Sequence, residues 1–203
     1  MPRKAIALLL GLLSLLGFSL ATTQVQAQLT QPYVSQATGI SFPVELGGLR
    51  LIRITDFEPR QRGLGVGVYY RNDAPFVQVD IFIYDKNGQV PNGHEPAAIT
   101  AEIEQALADI RTVAASGLYA DVQLKSGPRS CAAGGVLFQC ADLSYTRTPK
   151  DQPAVPTRSR VLLRGVKGQF FKVRVSWPQA VDAQAMPIAD RWLDAFGRLL
   201  PAN

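Results

Sequence analysis

The sequence predicts an α+β fold, a single domain in which an antiparallel β-sheet is packed with two amphipathic helices. Short apolar runs with period-two alternation follow one another along the chain, and turn residues separate them. Two longer segments have the helical period instead. The predicted order is a group of strands, a helix, more strands and a final helix. This order is expected of an antiparallel sheet that carries helices.

The N-terminal segment, residues 1–27, is predicted to be a secretory signal peptide. Arg3 and Lys4 precede an uncharged, Leu-rich run, and a small-residue pattern that ends at Ala27 offers a cleavage site. An uncleaved anchor helix is the alternative, although the run is at the lower edge of membrane-spanning length. The remaining chain is then expected in an oxidising compartment, periplasmic or secreted, and most simply the periplasm of a Gram-negative bacterium.

Cleavage would also change the charge of the protein. Removing the two basic residues of the signal lowers the formal net charge from +5 to +3. A charge of this size is not that of a nucleic-acid-binding protein. No later segment is long and apolar enough to predict a membrane span.

The first strands are predicted after a flexible arm at residues 28–39, and residues 40–203 are expected to form the single domain. Strand 49–57 is rich in β-branched residues, and strand 64–70 alternates apolar side chains with Gly65, Gly67 and Tyr69. In strand 77–84 successive side chains point to opposite faces. Val79, Ile81 and Ile83 lie on one face, and Asp80, Phe82 and Tyr84 lie on the other.

A helix over residues 96–116 is predicted next, because apolar side chains recur there at spacings of three and four. Pro96 suits the first turn of this helix, and Gly117 suits its C-terminal cap. Strands at 118–125 and 136–146 follow it. Pro187 predicts that the regular part of the last helix, 183–199, begins at that residue.

Two further strands, 160–166 and 169–177, are predicted to form a hairpin that turns at Lys167 and Gly168. On the second strand the side chains at 171, 173, 175 and 177 are apolar, so they are expected on the buried face. Lys172, Arg174 and Ser176 are expected on the opposite face, which would meet solvent or a partner.

Cys131 and Cys140 are predicted to form a disulfide bond. An exported protein meets oxidising conditions, and Gly134 and Gly135 between the cysteines can reverse the chain. A redox-active dithiol is the alternative, although such pairs usually have C-x-x-C spacing at a helix N-terminus.

Neither a metal site nor a cofactor is predicted. His94, the one histidine, lies in a sequence typical of a loop and has no partner His or Cys at helical spacing, so we expect an exposed loop or cap residue. The Gly63, Gly65, Gly67 series does not have the spacing of a phosphate-binding loop. These glycines more simply keep one face of a strand thin, so that a helix or another strand can approach.

Basic residues concentrate in the C-terminal part of the chain. Arg160, Arg164, Lys172 and Arg174 are predicted to share one face of the hairpin and to form a positive patch. Such a patch suits an anionic membrane surface or an acidic envelope protein. The alternative is a solvated face whose charges protect the sheet against edge pairing.

Four carboxylates near predicted strand ends or loops, Asp80, Asp85, Glu95 and Asp142, support a second hypothesis, a carboxylate-based periplasmic hydrolase. No pair of them has a spacing that fixes the separation a glycosidase requires. The first hypothesis is therefore a non-enzymatic accessory or binding domain that uses a sheet face or the basic hairpin.

The segment with Phe42, Pro43, Leu46, Gly47 and Gly48, followed by the glycine series and by 81–85, resembles small exported proteins of proteobacteria. The order of elements also resembles the PsbP-type α/β sandwich. PsbP-like proteins are accessory and assembly factors, so this resemblance implies a role without catalysis and transfers no site residues.

Overall fold

The computed structural model describes residues 29–148 and 153–201, so the predicted signal peptide lies outside the described residues. Within these ranges the chain forms ten strands and two α-helices. In chain order they are β1 (Tyr33–Val34), β2 (Ser41–Phe42), β3 (Glu45–Leu46), β4 (Leu49–Asp56), β5 (Val66–Asp73), β6 (Phe76–Tyr84), α1 (Ala97–Ala115), β7 (Tyr119–Ala133), β8 (Val136–Arg147), β9 (Val155–Val166), β10 (Gln169–Pro178) and α2 (Asp182–Gly197).

Eight of the strands form one antiparallel sheet in the order β3-β4-β5-β6-β10-β9-β8-β7. Neighbours within β3–β6 and within β7–β10 are consecutive in the chain. The long connection runs from β6 through α1 to the far edge strand β7, and the chain then returns strand by strand until β10 pairs with β6. The predicted α+β class, with one antiparallel sheet and two helices, is confirmed.

The two helices cover opposite sides of the sheet. α2 packs against β3, β6, β7 and β10, where its stripe of Ala185, Ala189, Trp192 and Phe196 joins the larger core. α1 packs against β7, β8 and β9, and its Ile99, Ile103, Leu107 and Ile110 form a second core. Both cores follow from period-two alternation, because successive side chains of a strand point to opposite sides.

The last helix begins earlier than the sequence predicts. α2 starts at Asp182 and contains Pro187 in its second turn, directly after a 3-10 turn at Gln179–Val181. Proline removes one backbone donor from the helix. The apolar stripe of α2 begins at Ala185, before the proline. Burial of this face stabilises helical structure upstream of Pro187.

β1 pairs with β2 as a separate two-stranded ladder, across the predicted boundary at residue 40. Ser35 and Thr38 between these strands are buried, and Lys167 Nζ donates a hydrogen bond to the carbonyl of Thr38. Residues 33–42 therefore lie against the main sheet. Of the helices in the described ranges, none has the length and apolar character needed to cross a membrane.

Candidate functional site

The four basic residues predicted to share one face lie on two opposite sides of the sheet. In the β9–β10 register Arg164 opposes Phe171 and Arg160 opposes Val175, so both arginines project to the side of the apolar set. Lys172 and Arg174 alternate with that set and project to the side of α1. The predicted common patch is thus wrong, because the hairpin register separates its members.

The two arginines on the α2 side make contacts within the protein and do not form a free positive surface. Arg164 is only 1% exposed, and its guanidinium lies 5.6 Å from the centre of the Phe138 ring. Arg160 forms ion pairs with Asp142 at 3.0 Å and with Asp190 of α2 at 2.7 Å. β9 and β10 are interior strands, so these charges do not guard a sheet edge.

On the other side α1 packs mainly against β7, β8 and β9, and beside its core lies a polar and aromatic surface on β4, β5, β6 and β10. We call this surface the open face and define it by Arg53, Tyr69, Asp80, Phe82, Lys172 and Arg174. Four of these are direct neighbours in the register: Arg53 opposes Tyr69, Tyr69 opposes Asp80, and Asp80 opposes Arg174.

Cations on the open face rest on aromatic rings. The guanidinium of Arg53 lies 4.1 Å from the centre of the Tyr69 ring, and Lys172 Nζ lies 5.4 Å from that of Phe82. Tyr69 and Phe82 meet edge to face with their centroids 6.1 Å apart. Such contacts are attractive for a cation over a ring and fix the position of the charge.

The predicted close approach of another strand is present at Gly65, where a Cβ atom would lie 1.8 Å from the carbonyl oxygen of Ile83 in β6, whereas at Gly67 a side chain fills the thin face. A Cβ atom at Gly67 would lie 2.5 Å from the Tyr69 hydroxyl, so the phenol folds along its own strand over the glycine. Glycine at this position thus allows Tyr69 to lie flat beneath Arg53.

Lys172 is a half-buried cation of the open face that lacks a polar partner among the described residues. Burial lowers the pKa of its ammonium group, and the charges of Lys86 and Arg174 act in the same direction against Glu102 and Asp109. Lys172 Nζ contacts the rings of Phe82 and Tyr84 and makes no hydrogen bond or ion pair with the described residues. An incoming anion would therefore stabilise its charged form.

Arg174 is held between two tyrosines at the edge of α1. Its guanidinium lies 5.3 Å from the ring centre of Tyr119 and 5.1 Å from that of Tyr145. Nε donates to Ser159 Oγ at 3.1 Å, and Nη1 donates to the Tyr119 hydroxyl at 3.3 Å. Both tyrosines, Arg174 and Asp80 line a cleft of about 70 Å³.

Asp80 brings a negative charge into this row. Burial raises the pKa of its carboxyl group, against the opposing effects of a hydrogen bond from Gln78 and the charges of Arg174 and Arg53. Gln78 Nε2 donates to Asp80 Oδ1 at 2.8 Å. The open face has a net positive charge, because Arg53, Lys172 and Arg174 outnumber Asp80, the one carboxylate in its definition.

The four carboxylates of the hydrolase hypothesis do not converge. Asp80 belongs to the open face, whereas Asp142 opposes Arg160 and lies on the α2 side. Asp85 follows β6 and accepts a hydrogen bond from Gln169, and Glu95 is exposed before α1. Among the described residues that line the Arg174 cleft, Asp80 is the single carboxylate.

Asp142 instead anchors a polar cluster on the α2 side. It accepts hydrogen bonds from Ser126 Oγ at 2.8 Å, Arg129 Nη2 at 2.7 Å and Arg160 Nε at 3.0 Å. Burial alone would raise the pKa of Asp142, but these three hydrogen bonds and the charge of Arg160 outweigh it and hold the pKa below its ordinary value.

Asp142→Asn is expected to lower the free energy of unfolding by about 1–2 kcal/mol near neutral pH, because it removes charge-assisted acceptors from two arginines. The folded-state pKa is depressed, so this contribution is present above the unfolded pKa and fades as the pH falls below about 4. Urea unfolding at neutral and acidic pH measures it. Glu104→Gln, an exposed change on α1, is the control; equal losses for both variants would contradict the expectation.

His94 is buried, at 7% exposure, and not exposed as predicted. The adjacent Gly93 exchanges two backbone hydrogen bonds with Gly165 of β9, of 3.0 and 2.8 Å. This bridge places the loop against the sheet and buries the histidine beside α1. Within the described residues no three His, Cys, Asp or Glu side chains are arranged to hold a metal ion.

The disulfide between Cys131 and Cys140 is present, with the two Cα atoms 6.0 Å apart. Gly134 and Gly135 both have positive φ and turn β7 into β8 as a two-residue hairpin loop. β7 extends beyond its predicted end at residue 125 as far as Ala133, so each cysteine lies on a strand of one hairpin.

Sequence reasoning missed Arg53, Tyr69 and Phe82 as members of a surface. Alternation within each strand shows that Tyr69 lies on the same face as Gly67, and Phe82 on the same face as Asp80. The pairing between strands, which alternation does not reveal, brings these side chains together. One signal in the sequence could have indicated this surface. Several central strands carry polar or charged residues on their second face, and such a face is not fully covered by an apolar helix.

No protein-family model and no curated protein matches the chain. Among solved structures it is similar to the crystal structure of LpqN, a protein of Mycobacterium tuberculosis involved in cell envelope biogenesis. The two chains are 11% identical with a TM-score of 0.40, and the match covers 72% of this chain and 75% of LpqN. The resemblance to PsbP-type proteins stays a prediction.

Proposed function

We propose that the protein is an exported, non-enzymatic binding domain of the cell envelope that engages an anionic partner through the open face. The observation that carries this proposal is Lys172, a half-buried ammonium group set on two aromatic rings with no polar partner among the described residues. A cation that has lost water and forms no ion pair or hydrogen bond is stabilised by a ligand that supplies an anion in direct contact.

The surroundings of Lys172 support binding over catalysis. Arg53, Tyr69 and Phe82 are fixed by mutual contacts, so the cations are held in position before a partner arrives. The hydrolase alternative requires two carboxylates in one cleft, and the open face contributes Asp80 alone to the cleft beside Arg174. The disulfide supports an oxidising location.

Anionic headgroups of a membrane surface and acidic segments of an envelope protein both offer the required charge. Poly-L-glutamate and phosphatidylglycerol vesicles are the two probes that separate these sources. We expect the mature chain to bind one of them, with an affinity that falls as salt rises, because the half-exposed cations are partly screened.

The doubly neutralised variant Arg53→Gln/Lys172→Met is expected to weaken that binding by about five- to tenfold. Methionine retains the aliphatic stem of Lys172, so the packing on Phe82 is largely kept. Arg111→Gln, which removes an exposed charge from α1, is the matched control, and amide NMR spectra verify the fold. Absence of binding to both probes, or equal losses in the variant and the control, would refute the proposal.

A further inference from the structure

A second concave site lies on the opposite side of the sheet, between the N-terminal segment at residues 33–37 and the ends of β4, β5 and β6. It encloses about 380 Å³, a volume within the range of small-molecule sites. Ile54, Val66 and Ile83 form part of its lining and pack with the core on the α2 side. We call this site the acidic groove.

The charges among the described residues that line the groove are all negative. Asp56, Glu58 and Asp85 are among its lining residues, which include no Lys, Arg or His. Hydrogen bonds orient these carboxylates: Glu58 accepts from the amides of Gly63 and Gly65, and Asp85 accepts from the amide of Asn87. None of the three forms an ion pair with a described residue. The groove therefore attracts a cation.

An aromatic ring stands beside these carboxylates. Tyr33 of β1 lines the groove, and burial together with the charge of Asp56 raises the pKa of its phenol. The ring is supported from behind by Phe42, with the centroids 6.1 Å apart. An aromatic face next to a carboxylate is a favourable setting for an ammonium group, and the apolar residues suit an attached alkyl chain.

Ser35 supplies an independent indication of a missing partner. It lines the groove and is 1% exposed, and its Oγ has no hydrogen-bond partner among the described residues. A buried hydroxyl without a partner costs free energy. An ammonium group, which is a donor only, would pair with the hydroxyl oxygen as well as with the carboxylates.

We propose that the acidic groove binds an alkylammonium group, with the cation between Asp56, Asp85 and Tyr33 and the alkyl chain on Ile54, Val66 and Ile83. The site is on the other side of the sheet from the open face and does not depend on the function proposed for it. A free small amine and a lysine side chain of a partner protein share this chemistry.

Titration of the mature chain with n-hexylammonium, followed by amide NMR, tests the proposal. We expect saturable shifts at Tyr33, Val66 and Ile83, and affinity at least about tenfold higher than for the neutral isostere n-hexanol. Nα-acetyl-lysine-N-methylamide is the second arm: binding of both amines indicates that a lysine side chain fits, and binding of hexylammonium alone indicates a free amine.

Asp56→Asn and Asp85→Asn are each expected to weaken hexylammonium binding by about two- to fivefold. Glu104→Gln, an exposed change on α1, and the open-face variant Arg53→Gln/Lys172→Met should leave it unchanged, so failure here is distinguishable from failure of the proposed function. Equal binding of hexylammonium and hexanol, no saturable shifts, or equal losses in Glu104→Gln would overturn the proposal.

Discussion

Trp192→Ala is expected to lower the free energy of unfolding by about 3–5 kcal/mol, the largest effect of any single substitution considered. The indole is fully buried at the centre of α2, stacked on Phe196 with the centroids 5.2 Å apart and in contact with Tyr70 at 5.6 Å. A Cβ atom at Gly47 would lie 2.5 Å from the Cα of Trp192, so the helix already touches the β3–β4 turn. It cannot move inward there to fill the cavity.

Trp192→Phe separates the loss of volume from the loss of the indole nitrogen. Nε1 of Trp192 is buried without a hydrogen-bond partner in the part of the chain that the structure describes, so phenylalanine removes an unsatisfied donor and keeps a ring. We expect a loss below about 2 kcal/mol. Met186→Ala, on an exposed position of α2, should change stability by less than about 0.5 kcal/mol. Urea unfolding curves measure all three variants, and a loss for Trp192→Ala as small as that for Met186→Ala would contradict the packing argument.

Most helices and strands were predictable because the spacing of apolar residues is periodic within each segment. The alternation of Phe171, Val173 and Val175 identifies the buried face of β10, and the α1 stripe identifies the helical face that packs, because each pattern lies within one continuous segment. The start of α2 was not predictable from Pro187 alone, since burial of Ala185 before the proline outweighs the missing donor.

To predict which face each basic residue occupies, the pairing register of the β9–β10 hairpin is needed in addition to the alternation within each strand. Val166 opposes Gln169 across the two-residue turn, which places Arg164 opposite Phe171 on the apolar side. The sequence contains this information, because a two-residue turn at Lys167 and Gly168 fixes every pair of the hairpin. Counting pairs outward from the turn separates Arg164 from Lys172.

The two candidate sites depend on contacts between distant parts of the chain. The open face exists because α1 covers three strands of an eight-stranded sheet, a consequence of its crossover to the far edge. The acidic groove combines Tyr33, Asp56 and Asp85, which belong to three different elements or their ends. No local pattern indicates that these side chains meet, because the sequence predicts Asp56 and Asp85 near strand ends but Tyr33 in a flexible arm.

Replacing both cysteines, Cys131→Ala/Cys140→Ala, is expected to lower the free energy of unfolding by about 2–3 kcal/mol. A cross-link over a short loop removes about this much conformational entropy from the unfolded chain. Alanine is the appropriate replacement because Cys140 is fully buried in an apolar core and a serine hydroxyl there would lack water. Reduction of the wild-type disulfide should produce a similar loss.

The effect should also be local, because the hairpin closed by this disulfide holds the end of α2. Gly134 N donates to Asp194 Oδ1 at 3.0 Å, and a Cβ atom at Gly197 would lie 1.9 Å from the carbonyl oxygen of Ala133. Loosening the hairpin therefore loosens the last turn of the helix. Amide hydrogen exchange should show reduced protection in residues 129–140 and at the C-terminal turn of α2, with α1 unaffected at equal global stability. An unchanged unfolding midpoint in the double alanine variant would show that hairpin packing, and not the cross-link, holds this end of the fold together.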